Sequence, residues 1–259
     1  MERRNLFVAA LLAAMLVTTA AAESIPVSHI QRPMHRFMVA RSEAGKIIAR
    51  GEFWQSVQGD EVSMRLLYHF LDGSIDDETT TYTQQGEFRL VRNRHIQQGP
   101  FFVKPVDFAV EAATGIATTR TTDRNGNVHV ESAHMDLPRD LANGFVGTLL
   151  LNVPPNRAPF RLGMLAPVGD GRLIHILISP EGVRPFRMAG QTLKAAVFRI
   201  HPELGGIVGV IARLIGLQPK DVMVWVQEGD EPAVVRIVGQ LGGYGPVVSS
   251  DLEGASFGQ

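Results

Sequence analysis

The residues best placed to do chemistry in this chain are a few histidines and carboxylates. His129 and Glu131 are two apart in an alternating stretch, so they share one face of a strand and could offer two ligands to a metal. A third ligand must then come from elsewhere, because His134 points to the opposite face. They are the only metal candidates, and a solvated strand face is the simpler reading of them. Asp72, Asp76, Asp77 and Glu78 crowd around one turn but lack the ligand register of a calcium loop, and they read as a solvated hairpin tip. His175, alone among Leu173, Ile174, Ile176, Leu177 and Ile178, reads as a satisfied core histidine in a strand covered on both faces. His201-Pro202-Glu203 reads as a capping turn before an apolar helix.

No G-x-S-x-G elbow, H-E-x-x-H helix, P-loop or G-x-G-x-x-G occurs, and with no cysteine there is no thiolate chemistry. No catalytic residue and no cofactor is therefore assigned. A metal- or carboxylate-dependent hydrolase built on His129 and Glu131 stands as an alternative reading.

A second kind of chemistry is apolar. Val62, Met64, Leu66, Tyr68 and Phe70 alternate with Glu61, Ser63, Arg65 and His69, so one face of a strand is apolar and the other wet. With Phe88 and Leu90 on the next strand but one, this stripe is either an ordinary core or the lining of a concave surface that holds a hydrophobic or lipid-like ligand. Ile207, Ile211 and Leu214, in a glycine-containing apolar helix over 204–216, are the candidate lid.

The elements that must position these residues follow from turn chemistry. Gly59-Asp60, Asp72-Gly73, Gln85-Gly86, Gly115 and Asn125-Gly126 punctuate the chain at hairpin spacing. They predict antiparallel strands over 46–58, 61–71, 75–84, 87–97, 105–113, 116–122 and 128–135. Asp136 as N-cap and Leu141, Phe145 and Leu149 at i, i+4, i+8 predict a helix over 137–150, stopped by Pro154-Pro155. Strands follow over 160–167, 172–179, 183–188 and 192–200, with Pro180-Glu181-Gly182 as a turn, and a last hairpin covers 221–228 and 232–241. The expected fold is mainly β: a long curved antiparallel meander, a half-barrel or open barrel, packed around two short helices.

Residues 1–22 read as a secretory signal peptide. Arg3 and Arg4 form the basic region, 6–17 is an apolar run too short to span a bilayer, and Ala20-Ala21-Ala22 offers a small-x-small cleavage site. This predicts a bacterial periplasmic or secreted protein with no transmembrane segment once the signal is removed. A formal net charge of −1 supplies no electrostatic footprint for nucleic acid. The expected organisation is a flexible segment over 23–33, one β-rich domain over 34–245 with a sub-boundary near 152–159, and a flexible tail over 246–259. The oligomeric state is left open.

The block His201-Pro202-Glu203-Leu204-Gly205-Gly206-Ile207 through Ile215-Gly216, followed by Gln218-Pro219-Lys220-Asp221 and Val224-Trp225-Val226, resembles a segment of exported bacterial proteins of unknown function. More loosely, the meander resembles the half-barrel of lipoprotein carriers and related periplasmic lipid-binding proteins, although the acylated cysteine of membrane-anchored members is missing. The resemblance transfers no catalytic residue. It implies a curved sheet around helices, and with the apolar stripe it gives the functional expectation: non-covalent binding of a hydrophobic small molecule or lipid in envelope transport or maintenance. An envelope interaction module that recruits a partner by strand addition is the other alternative.

Overall fold

Period-two alternation and glycine turns organise most of the chain. The computed structural model describes residues 23–102, 104–122, 126–167, 171–204, 219–241 and 245–258. A first meander comprises β1 (Met34–Ser42), β2 (Ile47–Gln58), β3 (Glu61–Phe70), β4 (Ile75–Gln85), β5 (Glu87–Gln98), β6 (Val106–Glu111), β7 (Ile116–Thr122) and β8 (Val128–His134). After the short helix α1 (Val146–Leu150) come β9 (Phe160–Ala166), β10 (Arg172–Met188), β11 (Gln191–Glu203), β12 (Val222–Gln227), β13 (Ala233–Gln240), β14 (Val247–Leu252) and β15 (Ala255–Ser256).

One pairing turns two meanders into one sheet. β14 lies antiparallel to β1, with Met38 opposite Leu252 and Ala40 opposite Ser250. The order is then β15-β10-β11-β12-β13-β14-β1-β2-β3-β4-β5-β6-β7-β8, with β9 also paired to β10. The ladder has ends at β8 and β15, so the sheet is open, but it is far from flat. Val62 of β3 and Phe88 of β5 share a core with Phe198 of β11, Val224 of β12, and Phe145, Leu149 and Leu150 of the helical segment. In a flat sheet β5 and β11 would lie about 38 Å apart, at eight strand spacings; they share a core because the sheet curls around that segment. Register shifts at Ala40/Arg41, Thr81/Tyr82, Pro180/Val183 and Trp225/Val226 supply local bends and added twist.

A second core sits further along the same face of β1 to β3. Met38, Ala40, Ala49, Tyr68 and Phe70 pack there with Phe102, Val248 and Leu252. Tyr68 reaches sideways across Gly51, where a Cβ would overlap its ring, and its hydroxyl is hydrogen-bonded to that of Ser250. The glycine thus lets one phenol tie β3 to β14 across β2 and β1.

The structure corrects several expectations. The helix expected over 137–150 is reduced to Val146–Leu150, with Phe145 rather than Asp136 as N-cap. Gly144 has φ +73, a left-handed conformation that interrupts helix propagation, and an added Cβ there would overlap Thr80 and Asn93. The preceding stretch behaves as a strand substitute. Leu141 bridges Gly163 in parallel, and the Asn143 amide both donates to the Leu165 carbonyl and accepts from its N–H, each at 2.8 Å. The second helix, expected over 204–216, falls almost wholly outside the described residues, as does the signal peptide. α1 is thus the one α-helix among the described residues, in place of the two expected.

Both expected loose ends are pinned. Ile25 is buried in the first core, and the Val27 N–H donates to the Gly86 carbonyl at 2.9 Å. The presumed tail supplies β14, in the interior of the sheet. Pro180-Glu181-Gly182 is a bulge within β10 rather than a turn, and His201-Pro202-Glu203 belongs to β11 rather than to a cap. His175 is exposed, on the face of β10 opposite the buried Ile174, Ile176 and Ile178. Among the described residues no helix is long and apolar enough to cross a membrane.

Gly51→Ala is expected to force Tyr68 off Ser250 and to cost about 1–3 kcal/mol, the usual range for overpacking. Urea unfolding of the two proteins measures it, and an unchanged midpoint would refute this account of the seam.

Candidate functional site

The curled sheet does not fill its own interior. A cavity of about 370 Å³ remains between the two halves, within the range of roughly 300–1,000 Å³ typical of small-molecule sites. Strand register explains its first wall. Met34 and Arg36 of β1 stand opposite Gln55 and Phe53 of β2, which stand opposite Met64 and Leu66 of β3. Leu66 in turn stands opposite Glu78 of β4. All of these face inward and line the cavity.

The opposite wall comes from the second meander, through Met164 of β9, Ile176 of β10, Ile200 of β11, Val222 and Val224 of β12, and Ile237 of β13. Val146, Gly147 and Thr148 of α1 complete it. Gly147 leaves room there, since an added Cβ would meet Val234 at 3.2 Å. Four methionines, Met34, Met38, Met64 and Met164, contribute to the lining. Their unbranched, polarizable side chains can repack around ligands of different outline.

The polar groups of the lining are few. Gln55 Nε2 donates to the Arg32 carbonyl at 2.8 Å, and the Tyr82 hydroxyl donates to Gln55 Oε1 at 3.4 Å. Gln31 Nε2 donates to the His29 carbonyl at 2.9 Å. Glu78 Oε1 accepts from Asn93 Nδ2 at 3.1 Å, and the same amide donates to Thr80 Oγ1 at 2.9 Å. Arg36 is half-buried, with Met34 and Met38 flanking it on the inward face of β1.

Behind Glu78 the inward faces of β4 and β5 carry a polar row. His95 Nε2 lies 2.7 Å from Asp76 Oδ1, and Gln97 Nε2 donates to Asp76 Oδ2 at 3.0 Å. Burial pushes the imidazole pKa down, but the carboxylates of Glu78, Asp76 and Asp77 outweigh it and raise the value to about 9. At neutral pH His95 is therefore an imidazolium locked between carboxylates. The acidic cluster expected as a solvated hairpin tip is thus divided. Asp77 forms a two-pronged ion pair with Arg65, Asp72 accepts from the Ser74 N–H, and Asp76 is buried in the row.

Of the residues the sequence suggested as lining, Met64 and Leu66 border the cavity. Val62, Phe88 and Leu90 are packed in the first core, and Tyr68 and Phe70 in the second. Ile207, Ile211 and Leu214 lie outside the described residues. His129 and Glu131 are exposed on β8, opposite Thr121 and Thr119, and among the described residues no three His, Cys, Asp or Glu side chains gather into a metal site. Sequence reasoning missed Met34, Arg36 and Met38, whose signal was an alternation hidden by the outward Phe37, and it missed the whole second wall.

No protein-family model and no curated protein sequence matches the chain. Among solved structures, the chain is similar to a β-barrel-like protein of the DUF1849 domain of unknown function from Brucella abortus. That similarity has 9% identity and a TM-score of 0.42 and covers 89% of this chain and 100% of that one.

The raised His95 pKa has a stability consequence with a definite sign. Because the folded value lies above the unfolded value of about 6.5, the imidazolium stabilises the fold fully below that pH, and the contribution fades as pH rises through about 9. The Tm difference between the protein and its His95→Gln variant is therefore expected to be largest below about pH 6.5 and to shrink by pH 9. Thermal melts across that window test it; a difference that grows with pH would reverse the assignment.

Proposed function

We propose that the protein binds a hydrophobic or lipid-like small molecule, non-covalently, in the cavity between the two halves of its sheet. The observation that carries this reading is the cavity itself: about 370 Å³, bordered by Met64, Leu66, Met164, Val222 and Ile237, in a molecule that otherwise packs two dense cores. Apolar surface withdrawn from water contributes about 25 cal/mol per Å² whatever the ligand's detail, so an apolar cavity is a general receptor for apolar molecules. The flexible methionines suit a carrier that tolerates variation in its cargo. The same proposal includes a location in the bacterial envelope or outside the cell, a reading supported by the export pattern of residues 1–22.

A second reading rests on β8. This strand ends the sheet, and Val128 and Val130 on it are 62% and 55% exposed, with Ile116 on the neighbouring β7 40% exposed. An apolar edge of this kind suits strand addition by a protein partner.

The neutral fluorophore N-phenyl-1-naphthylamine separates the readings. Uptake by the purified protein with saturable enhancement is expected. Ile237→Trp should fill the cavity and weaken uptake about tenfold or more, with the melting temperature kept or raised. No uptake by the unmodified protein, together with an organic extract free of lipid, would overturn the cavity reading and leave the β8 edge.

A further inference from the structure

We infer that Arg36 is an anchor for an anionic head group, so that the ligand of the cavity is a single-chain amphiphile ending in a carboxylate or phosphate. The inference rests on the cavity-binding reading and names its chemistry.

Arg36 is the one arginine among the described residues that line the cavity, and it differs from the ion-paired arginines of the outer surface. Arg65, Arg94 and Arg161 each hold a carboxylate in a two-pronged ion pair, with Asp77, Asp107 and Glu203. Arg36 borders the cavity, and among the described residues no carboxylate lies within ion-pair distance of it. An inward-facing cation beside Met34, Met38 and Phe53 gives up part of its hydration without a fixed counter-charge. The guanidinium is a planar fork that matches carboxylate or phosphate oxygens two at a time, and such charge-assisted pairs are the strong ones.

The other charged lining group argues for polarity in the ligand. Glu78 stands in the same cross-strand row as Arg36, through Phe53 and Leu66. Three strand spacings separate them, about 14 Å along the sheet. Glu78 is already held by Asn93 and faces the field of the charged His95. An anion is therefore drawn to the β1 side of the cavity and kept from the β4 side. Between the two lie Phe53, Leu66 and Met64, an apolar floor for the chain that follows the head group.

The test is displacement of N-phenyl-1-naphthylamine from the purified protein by dodecanoate, dodecyl phosphate and methyl dodecanoate, which share a chain length and differ in head group. The expected result is that at least one anion displaces the probe at about tenfold lower concentration than the ester. The better anion assigns the head group to carboxylate or phosphate. Arg36→Gln should abolish that preference, read as an acid-to-ester ratio near one within the variant itself, while Arg36→Lys should keep much of it. Should Arg36→Gln fail to fold, the acid-to-ester ratio of the unmodified protein and its fall with added salt decide alone. Equal displacement by acid and ester, or a preference that survives in a folded Arg36→Gln variant, overturns the anchor and leaves the cavity reading standing. Absence of any probe uptake overturns both.

Discussion

The pairing of β14 with β1 is the contact on which the rest of this molecule depends. Without it the chain would be two separate antiparallel meanders, each with an exposed edge and one uncovered apolar face. With it, the inward faces of β1 to β4 are set against those of β9 to β13, and the cavity exists only as the space between them. The seam is reinforced from inside by Tyr68, which crosses two strands to meet Ser250 at a separation of 182 residues. It is reinforced on the other face of β14 by Asp251, which lies within ion-pair distance of both Arg41 of β1 and Arg236 of β13. Burial pushes that carboxyl's pKa up, and the two guanidinium groups oppose the shift.

The interior is sorted by polarity. Toward β5 and β6 the inward face is either densely apolar or a polar row, in which Asp76, Glu78, Thr80, Asn93, His95 and Gln97 are engaged with one another while Gln97 Oε1 is left without a partner. A buried network of this sort costs little when its members satisfy each other and a great deal when one is removed. Toward β1 and β13 the face is loosely filled, with methionines and a helix glycine where larger side chains would close the gap. A polar block on one side and an apolar, methionine-rich cavity on the other is an arrangement in which the cavity wall can adapt without loosening the sheet.

Much of the first meander was legible in the sequence, because each hairpin from β2 to β8 is local and all but the β5–β6 connection are announced by their own turn residues. The strands at the seam were not. β1 turns Phe37 outward and Arg36 inward, so its polarity pattern opposes its geometry. β14 has Val247, Val248 and Leu252 broken by two serines and an aspartate, a composition that resembles a loose tail until β1 and β13 are set beside it. The helix expected over 137–150 shrank to Val146–Leu150 for a related reason: burial of Leu141, Phe145 and Leu149 satisfies helical spacing, yet Leu141 and Phe145 are buried in the same core without being helical. The apolar stripe on β3 was recognised as one face, but whether each of its residues meets packing or space is decided by strands more than a hundred residues away in sequence.

The central position of β14 also orders events in time. A chain that emerges N-terminus first presents the outer edge of β1 long before its partner exists, since Met38 must wait for Leu252 over about two hundred residues of further synthesis. During that interval the first meander can form its hairpins but cannot close its interior. β14, followed only by the two-residue β15, acts as the keystone, and a chain interrupted before it remains an open, unlocked sheet that a protease can still remove.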